Sequence, residues 1–218
     1  MQQKQYMERF IMQDLIAWKN RKDRKPLILL GARQVGKTYI LKEFGQREFE
    51  NVAYINCDNN AMAKDLFASD YNIDRILLTI GAITGVNIEA GKTLIIMDEI
   101  QELHRGLASL KYFCENAREY HVAVAGSLLG LSLHQGESYP VGKVNTLEMY
   151  PMTFEEFLWA RGFKQRMDLL QHGMWDVVKS LRTLYIQHLR EYYLVGGMPE
   201  AVNKFIAVSY THLRAHET

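Results

Sequence analysis

Leu27-Ile28-Leu29-Leu30-Gly31-Ala32-Arg33-Gln34-Val35-Gly36-Lys37-Thr38 is the stretch whose reading decides the fold. Four consecutive apolar residues suit a strand buried on both faces. The next eight, Gly31, Ala32, Arg33, Gln34, Val35, Gly36, Lys37 and Thr38, match G-x-x-x-x-G-K-[ST]. Each part of that string has a physical task. The glycines let the loop curl until successive backbone N–H groups face one point, where an anion is held. A helix pattern starting near Lys37 adds the positive end of its dipole. Lys37 is placed to reach β- and γ-phosphates, and the Thr38 hydroxyl to reach Mg2+. An apolar strand before the loop and a helix after it are the context that this motif requires.

A second apolar run ends in acid: Leu94-Ile95-Ile96-Met97-Asp98-Glu99. Such a strand delivers Asp98 to the carboxyl edge of a sheet, where α/β proteins bind ligands. Asp98 is the expected second metal residue beside Thr38, acting through the water shell that Mg2+ keeps. Glu99 is the expected general base, polarising a water for attack on the γ-phosphate. A third apolar run, 122–125, leads through Gly126 to Ser127. Ser127 reads either as a catalytic sensor of the γ-phosphate or as the cap of the next helix. Gln101 reads either as a second contact to the attacking water or as a surface amide. His104, His121 and His134 show no ligand spacing and read as structural or surface residues.

Short apolar runs recur at 52–55 and 93–97, with 145–149 a weaker fifth strand. Helical patterns fall between them at 37–44, 74–83 and around Leu107, Leu110, Cys114 and Ala117. Strands alternating with helices predict a parallel sheet wound on both faces. Met7, Ile11, Leu15 and Trp18 lie on one face of an expected leading helix. After Pro151 the pattern is helical: Thr153 and Glu156 form a capping box, and Pro199 opens a further helix behind Gly196-Gly197. The expected fold class is therefore α/β, a P-loop nucleoside-triphosphatase core whose parallel sheet is flanked by helices, plus a C-terminal helical appendage. The expected domains are 1–150 for the core and 151–208 for the helical region. Residues 209–218 (SYTHLRAHET) break the apolar pattern of Val202, Phe205 and Ile206 and read as a non-native tail, the alternative being a frayed terminus.

With 26 basic and 25 acidic residues the formal charge is +1, which gives no general attraction to nucleic acid or membrane. The local run Lys19, Arg21, Lys22, Arg24, Lys25 reads as a solvated loop, with a nucleic-acid phosphate contact as the weaker alternative. Cys57 and Cys114 stand far apart and read as buried thiols of a reducing compartment. No apolar run is long enough to span a bilayer, and MQQKQYMERF has no signal-peptide core, so a cytoplasmic location is expected.

The strings GARQVGKT (31–38), IIMDEIQ (95–101), AGSLLG (125–130), PVGKV (140–144), YPMTFEEFL (150–158) and GGMPEAV (196–202) together resemble a prokaryotic AAA-type ATPase family. The resemblance runs from about Met7 to about Ile206. Members of that family pair an N-terminal AAA domain with a C-terminal domain likened to nuclease-type folds, and the expectation is that this chain is truncated before it, near Ile206. The resemblance implies that Gly36, Lys37, Thr38, Asp98 and Glu99 carry nucleotide and magnesium, and that Ser127 sits at the sensor position. Relatives have Gly-Arg before the last strand where this chain has Gly142-Lys143. Lysine lacks the guanidinium fork of an arginine finger, which puts hydrolysis across a subunit interface through this position in doubt. Arg33 and Arg105 are the other finger candidates.

The expected function is an ATP-binding protein that hydrolyses ATP to ADP and phosphate with Mg2+ and so drives a conformational change, with Gly196-Gly197 as a candidate hinge. The alternative is a nucleotide-gated switch with little hydrolysis. ATP and Mg2+ are the expected ligands. A homo-oligomer, the missing C-terminal domain or a protein partner are the expected associates. A small-molecule kinase fits less well, because it seldom needs a water-activating carboxylate beside Asp98.

Overall fold

A computed structural model describes residues 7–58, 60–67, 70–126 and 140–215. The chain divides into two compact units, Ile11–Met149 and the residues of Met1–Phe10 with Tyr150–Thr218.

The larger unit carries helix α1 (Ile11–Lys19), strand β1 (Leu27–Gly31), α2 (Lys37–Glu48), β2 (Asn51–Asn56), α3 (Ala61–Lys64), α4 (Ile73–Thr84), β3 (Thr93–Asp98), α5 (Gly106–Asn116), β4 (His121–Ala125) and β5 (Asn145–Met149). Its five strands are all parallel, in the order β2-β3-β4-β1-β5. β1 thus lies between β4 and β5, and β4 separates it from β3. Every residue of β3 and of β4 is buried, as strands covered on both faces must be.

Alternation along the strands sorts two faces. Ile28, Val124, Met97 and Ile55 lie in register across the sheet and pack with Ile76, Ile80, Leu107, Leu110 and Phe113 of α4 and α5. The opposite face carries Leu27, Leu29, Leu94 and Ile96, all fully buried. There α2 comes so close that a Cβ on Gly45 would stand 2.6 Å from a Val52 methyl and 3.3 Å from a Leu94 methyl. β5 is the least buried strand, which explains its weaker sequence signal.

Met7 does not continue the helix that its spacing predicts. α1 begins at Ile11, and Met7 is buried instead with Met152, Phe157, Val202 and Ile206 in the core of the helical unit. In that unit Thr153 and Glu156 form both halves of the capping box of the helix Phe154–Ala160. Glu156 also accepts from the Phe10 N–H at 2.8 Å and pairs with Arg9 at 3.1 Å, both charged side chains being about 5% exposed. Gly196-Gly197 serves a close approach rather than a free hinge. Gly197 accepts from the Met152 N–H at 2.7 Å, and a Cβ on it would stand 2.3 Å from the Met152 carbonyl oxygen. Gly196 at φ 75°, ψ −175° occupies backbone space that only glycine enters readily. The final helix runs Pro199–Ala215.

His121 is a core residue, ringed by Trp18 at 5.9 Å and Phe49 at 4.8 Å. Burial, with the Arg24 charge adding to it, pushes its imidazole down to about 4. The unfolded chain therefore binds the extra proton first, so the His121 contribution is complete above about pH 6.5 and is lost as pH falls toward 4. Urea unfolding across that range should show wild-type stability falling by roughly 2–3 kcal/mol more than in a His121→Phe variant. Parallel pH curves for the two proteins would exclude this role.

Candidate functional site

The loop after β1 is built around two glycines. Gly31 has φ 153°, and a Cβ there would stand 2.4 Å from the Met149 carbonyl oxygen of β5. Gly36 is left-handed at φ 97° and immediately precedes α2, which starts with no side-chain cap. An uncapped helix start leaves its first N–H groups directed toward the loop, where an anion satisfies them. Gln34, at φ 66°, is held in the left-handed region without being glycine. Val35 is fully buried and anchors the loop, while Ala32 and Arg33 are exposed.

Lys37 is 7% exposed, and its ammonium donates to the carbonyls of Gly31 at 2.8 Å and Ala32 at 2.9 Å. Burial lowers its pKa, and the Glu99 and Asp98 carboxylates oppose that shift. Thr38 donates its hydroxyl to Asp98 Oδ2 at 2.5 Å, joining the loop to the end of β3 across β4. Asp98 is 5% exposed, and its Oδ1 accepts the Glu99 N–H at 3.2 Å. Glu99 turns out of the strand at φ 52°, ψ 48°, and its Oε2 accepts from Gln101 Nε2 at 2.6 Å. Gln34, Glu99 and Arg105 are the non-glycine residues at positive φ among those described. All three lie at the carboxyl edge of the sheet. Such conformations cost roughly 1–3 kcal/mol each and gather where function demands them.

Two residues at this site escape a linear reading. The Tyr54 hydroxyl donates to Asp98 Oδ2 at 3.3 Å, and burial together with that carboxylate pushes its pKa up to about 12. The available signal was alternation: residues 52, 54 and 56 of β2 share the face of Asp98. Cys57, buried as expected, lies near enough to both carboxylates that they add to burial in pushing its thiol up to about 12.

The other sequence candidates separate. β4 ends at Ala125 between the loop strand and β3, and Ser127, like His134, lies outside the described residues. Lys143 precedes β5 at the amino edge of the sheet, away from its own loop, and pairs with Glu115 at 2.8 Å. Arg105 donates to the Tyr71 hydroxyl at 3.0 Å. The basic run also lies before β1 at the amino edge. Lys19 pairs with Glu48 at 3.1 Å, Arg21 with Asp23 at 3.2 Å, and Lys25 donates to the Gly142 carbonyl at 2.6 Å.

A parallel sheet with a glycine-lysine loop after an interior strand, and an acidic strand end two strands away, defines a P-loop nucleoside-triphosphatase core, a nucleotide-binding fold. The chain belongs to the AAA domain family, which matches residues 23–158. It is 28% identical over 197 residues to an uncharacterized protein of Methanocaldococcus jannaschii, a match covering 83% of this chain and 39% of that protein. The chain thus spans well under half of that relative's length. Similar solved structures include the Aeropyrum pernix ORC1 protein in complex with DNA, at TM-score 0.44 and 14% identity over 70% of this chain and 46% of that one. Another is the Thermotoga maritima RuvB Holliday junction branch migration motor, at TM-score 0.42 and 19% identity over 76% and 52%. Among the described residues no helix is long and apolar enough to cross a membrane.

The approach of Gly31 to β5 carries a direct consequence. Gly31→Ala should force the loop from Met149 and lower stability by about 1–3 kcal/mol, with loss of nucleotide binding. Thermal melting with and without ATP measures both, and an unchanged melting temperature would show that the loop does not depend on this contact.

Proposed function

We propose that this chain is a Mg2+-dependent ATPase, holding ATP at residues 31–38 and hydrolysing it to ADP and phosphate. The observation that carries the reading is the convergence of Lys37, Thr38, Asp98 and Glu99 at one sheet edge. The residues present suit these ligands. A curled loop leads into an uncapped helix start, which fits phosphate, and the hydroxyl and carboxylate oxygens of Thr38 and Asp98 are the hard donors that magnesium prefers. Bound there, magnesium would supply charge neutralisation for the phosphate oxygens.

The chain's own groups do the rest. Lys37 brings a buried positive charge to the β- and γ-phosphates, where the low local dielectric strengthens it. Glu99 accepts a proton from a water as that water's oxygen bonds to the γ-phosphorus, and the bond to the β-phosphate oxygen breaks in line. Tyr54 and Thr38 keep Asp98 oriented by hydrogen bonds to one of its oxygens. Ser127, as a sensor of the γ-phosphate, belongs to the same reading through its position in the sequence shortly after β4.

One observation favours a second reading, a nucleotide-gated switch with little turnover. Lys143, where the family resemblance implies an arginine, is paired with Glu115 of its own chain and lies at the amino edge. An assembled neighbour, a further domain or a protein partner would then have to supply the missing cation.

Phosphate release from Mg-ATP, with Lys37→Ala as the blank, tests the proposal. Glu99→Gln should leave ATP affinity within about twofold and lower turnover by roughly 10²–10⁴. Tight ATP binding with turnover no higher than the blank, in monomer and assembly alike, would favour the switch. Full turnover in Glu99→Gln would remove Glu99 as base.

A further inference from the structure

Beside Glu99 lies an amide whose two ends behave differently. Gln101 sits in the short 3-10 turn Ile100–Glu102 that follows the strand. Its Nε2 donates to Glu99 Oε2 at 2.6 Å, a short bond for an amide nitrogen and a carboxylate. A carboxylate only accepts, so this contact fixes which end of the amide is nitrogen. The other end, Oε1, is therefore a carbonyl acceptor. It is buried and takes no hydrogen bond from any described group. A buried acceptor left without a donor is costly, and native proteins rarely keep one without a use.

The backbone is bent to produce this arrangement. Glu99 adopts φ 52°, ψ 48°, and the turn is closed by Glu102 N–H to the Glu99 carbonyl at 3.0 Å and Leu103 N–H to the Ile100 carbonyl at 3.1 Å. Ile100 is fully buried and anchors the turn in the core. In continued extended geometry, residues 99 and 101 would lie on one face but some 7 Å apart along the strand. The left-handed turn instead folds Gln101 back onto its neighbour.

We propose that Gln101 is a positioning residue for hydrolysis: Nε2 fixes the Glu99 carboxylate in the orientation from which it accepts a hydrogen of the attacking water. A carboxylate held in one orientation sets the direction of the water lone pair that must point at the γ-phosphorus. The inference rests on the reading of Glu99 as base.

The test combines turnover with binding of a transition-state mimic. Gln101→Ala should lower kcat by roughly tenfold to hundredfold with KM for ATP within about twofold. It should also weaken binding of MgADP with aluminium fluoride by roughly tenfold while leaving MgADP affinity unchanged, which a purely structural loss does not do. In a Glu99→Gln background the same substitution should add less than about twofold, because the two residues act as one unit. Equal effects on MgADP and its aluminium fluoride complex, or none on either, overturn the role of Gln101. If Glu99→Gln is inactive while Gln101→Ala turns over normally, this inference alone fails. If Glu99→Gln turns over normally, the reading of Glu99 fails and takes this inference with it.

Discussion

The hydrogen bond from Thr38 to Asp98 joins two parts of the chain that are sixty residues apart in sequence and two strands apart in the sheet. Its geometry depends on nearly everything else in the larger unit. Thr38 is placed by a helix that begins one residue earlier, straight after a left-handed glycine. Asp98 is placed by a strand whose every residue is buried, so that its register with β2 and β4 leaves no freedom to slide. A one-residue slip would turn Asp98 into the opposite layer, among the apolar residues of α4 and α5. The apolar core is therefore also the device that aims the carboxylate.

The electrostatics of the site follow from that placement. A carboxylate 5% exposed needs donors from the protein in place of water. Thr38, Tyr54 and the Glu99 N–H supply them. The same negative charge helps to hold the Tyr54 hydroxyl and the Cys57 thiol in their protonated forms. Lys37 experiences the reverse balance, in which burial disfavours its charge and the two carboxylates favour it. The two carboxylates thus favour a lysine charge that burial alone would disfavour.

The helical unit shows a second use of a buried carboxylate. Glu156 closes the capping box of its own helix and at the same time receives the Phe10 N–H and the Arg9 charge. A residue near the start of the chain is thereby tied to one about 146 positions later. Removing one partner of such a buried pair is far more damaging than replacing both, because the survivor is left charged and without compensation.

How much of this was legible depended on whether the cause was local. The glycine-lysine loop, all five strands and the capping box follow from residue order. Apolar runs, glycines and caps act over distances that a sequence displays directly. Alternation along β2 gave Tyr54 a face, but its partner lies on a neighbouring strand, and pairing between strands is set by burial of whole faces rather than by any spacing in the chain. Met7 misled for a related reason: its helical spacing is real, but the apolar surface that claims it belongs to the other unit. Lys143 stood out in sequence as a departure, yet only the sheet direction shows it at the edge opposite its own loop. The fold class and the chemistry available to the loop were thus determined by the sequence itself, through local backbone preference and hydrophobic period. Which groups surround Asp98 and Glu99, and which cations are already engaged, was decided only by tertiary structure, because those contacts arise when distant segments share one buried face.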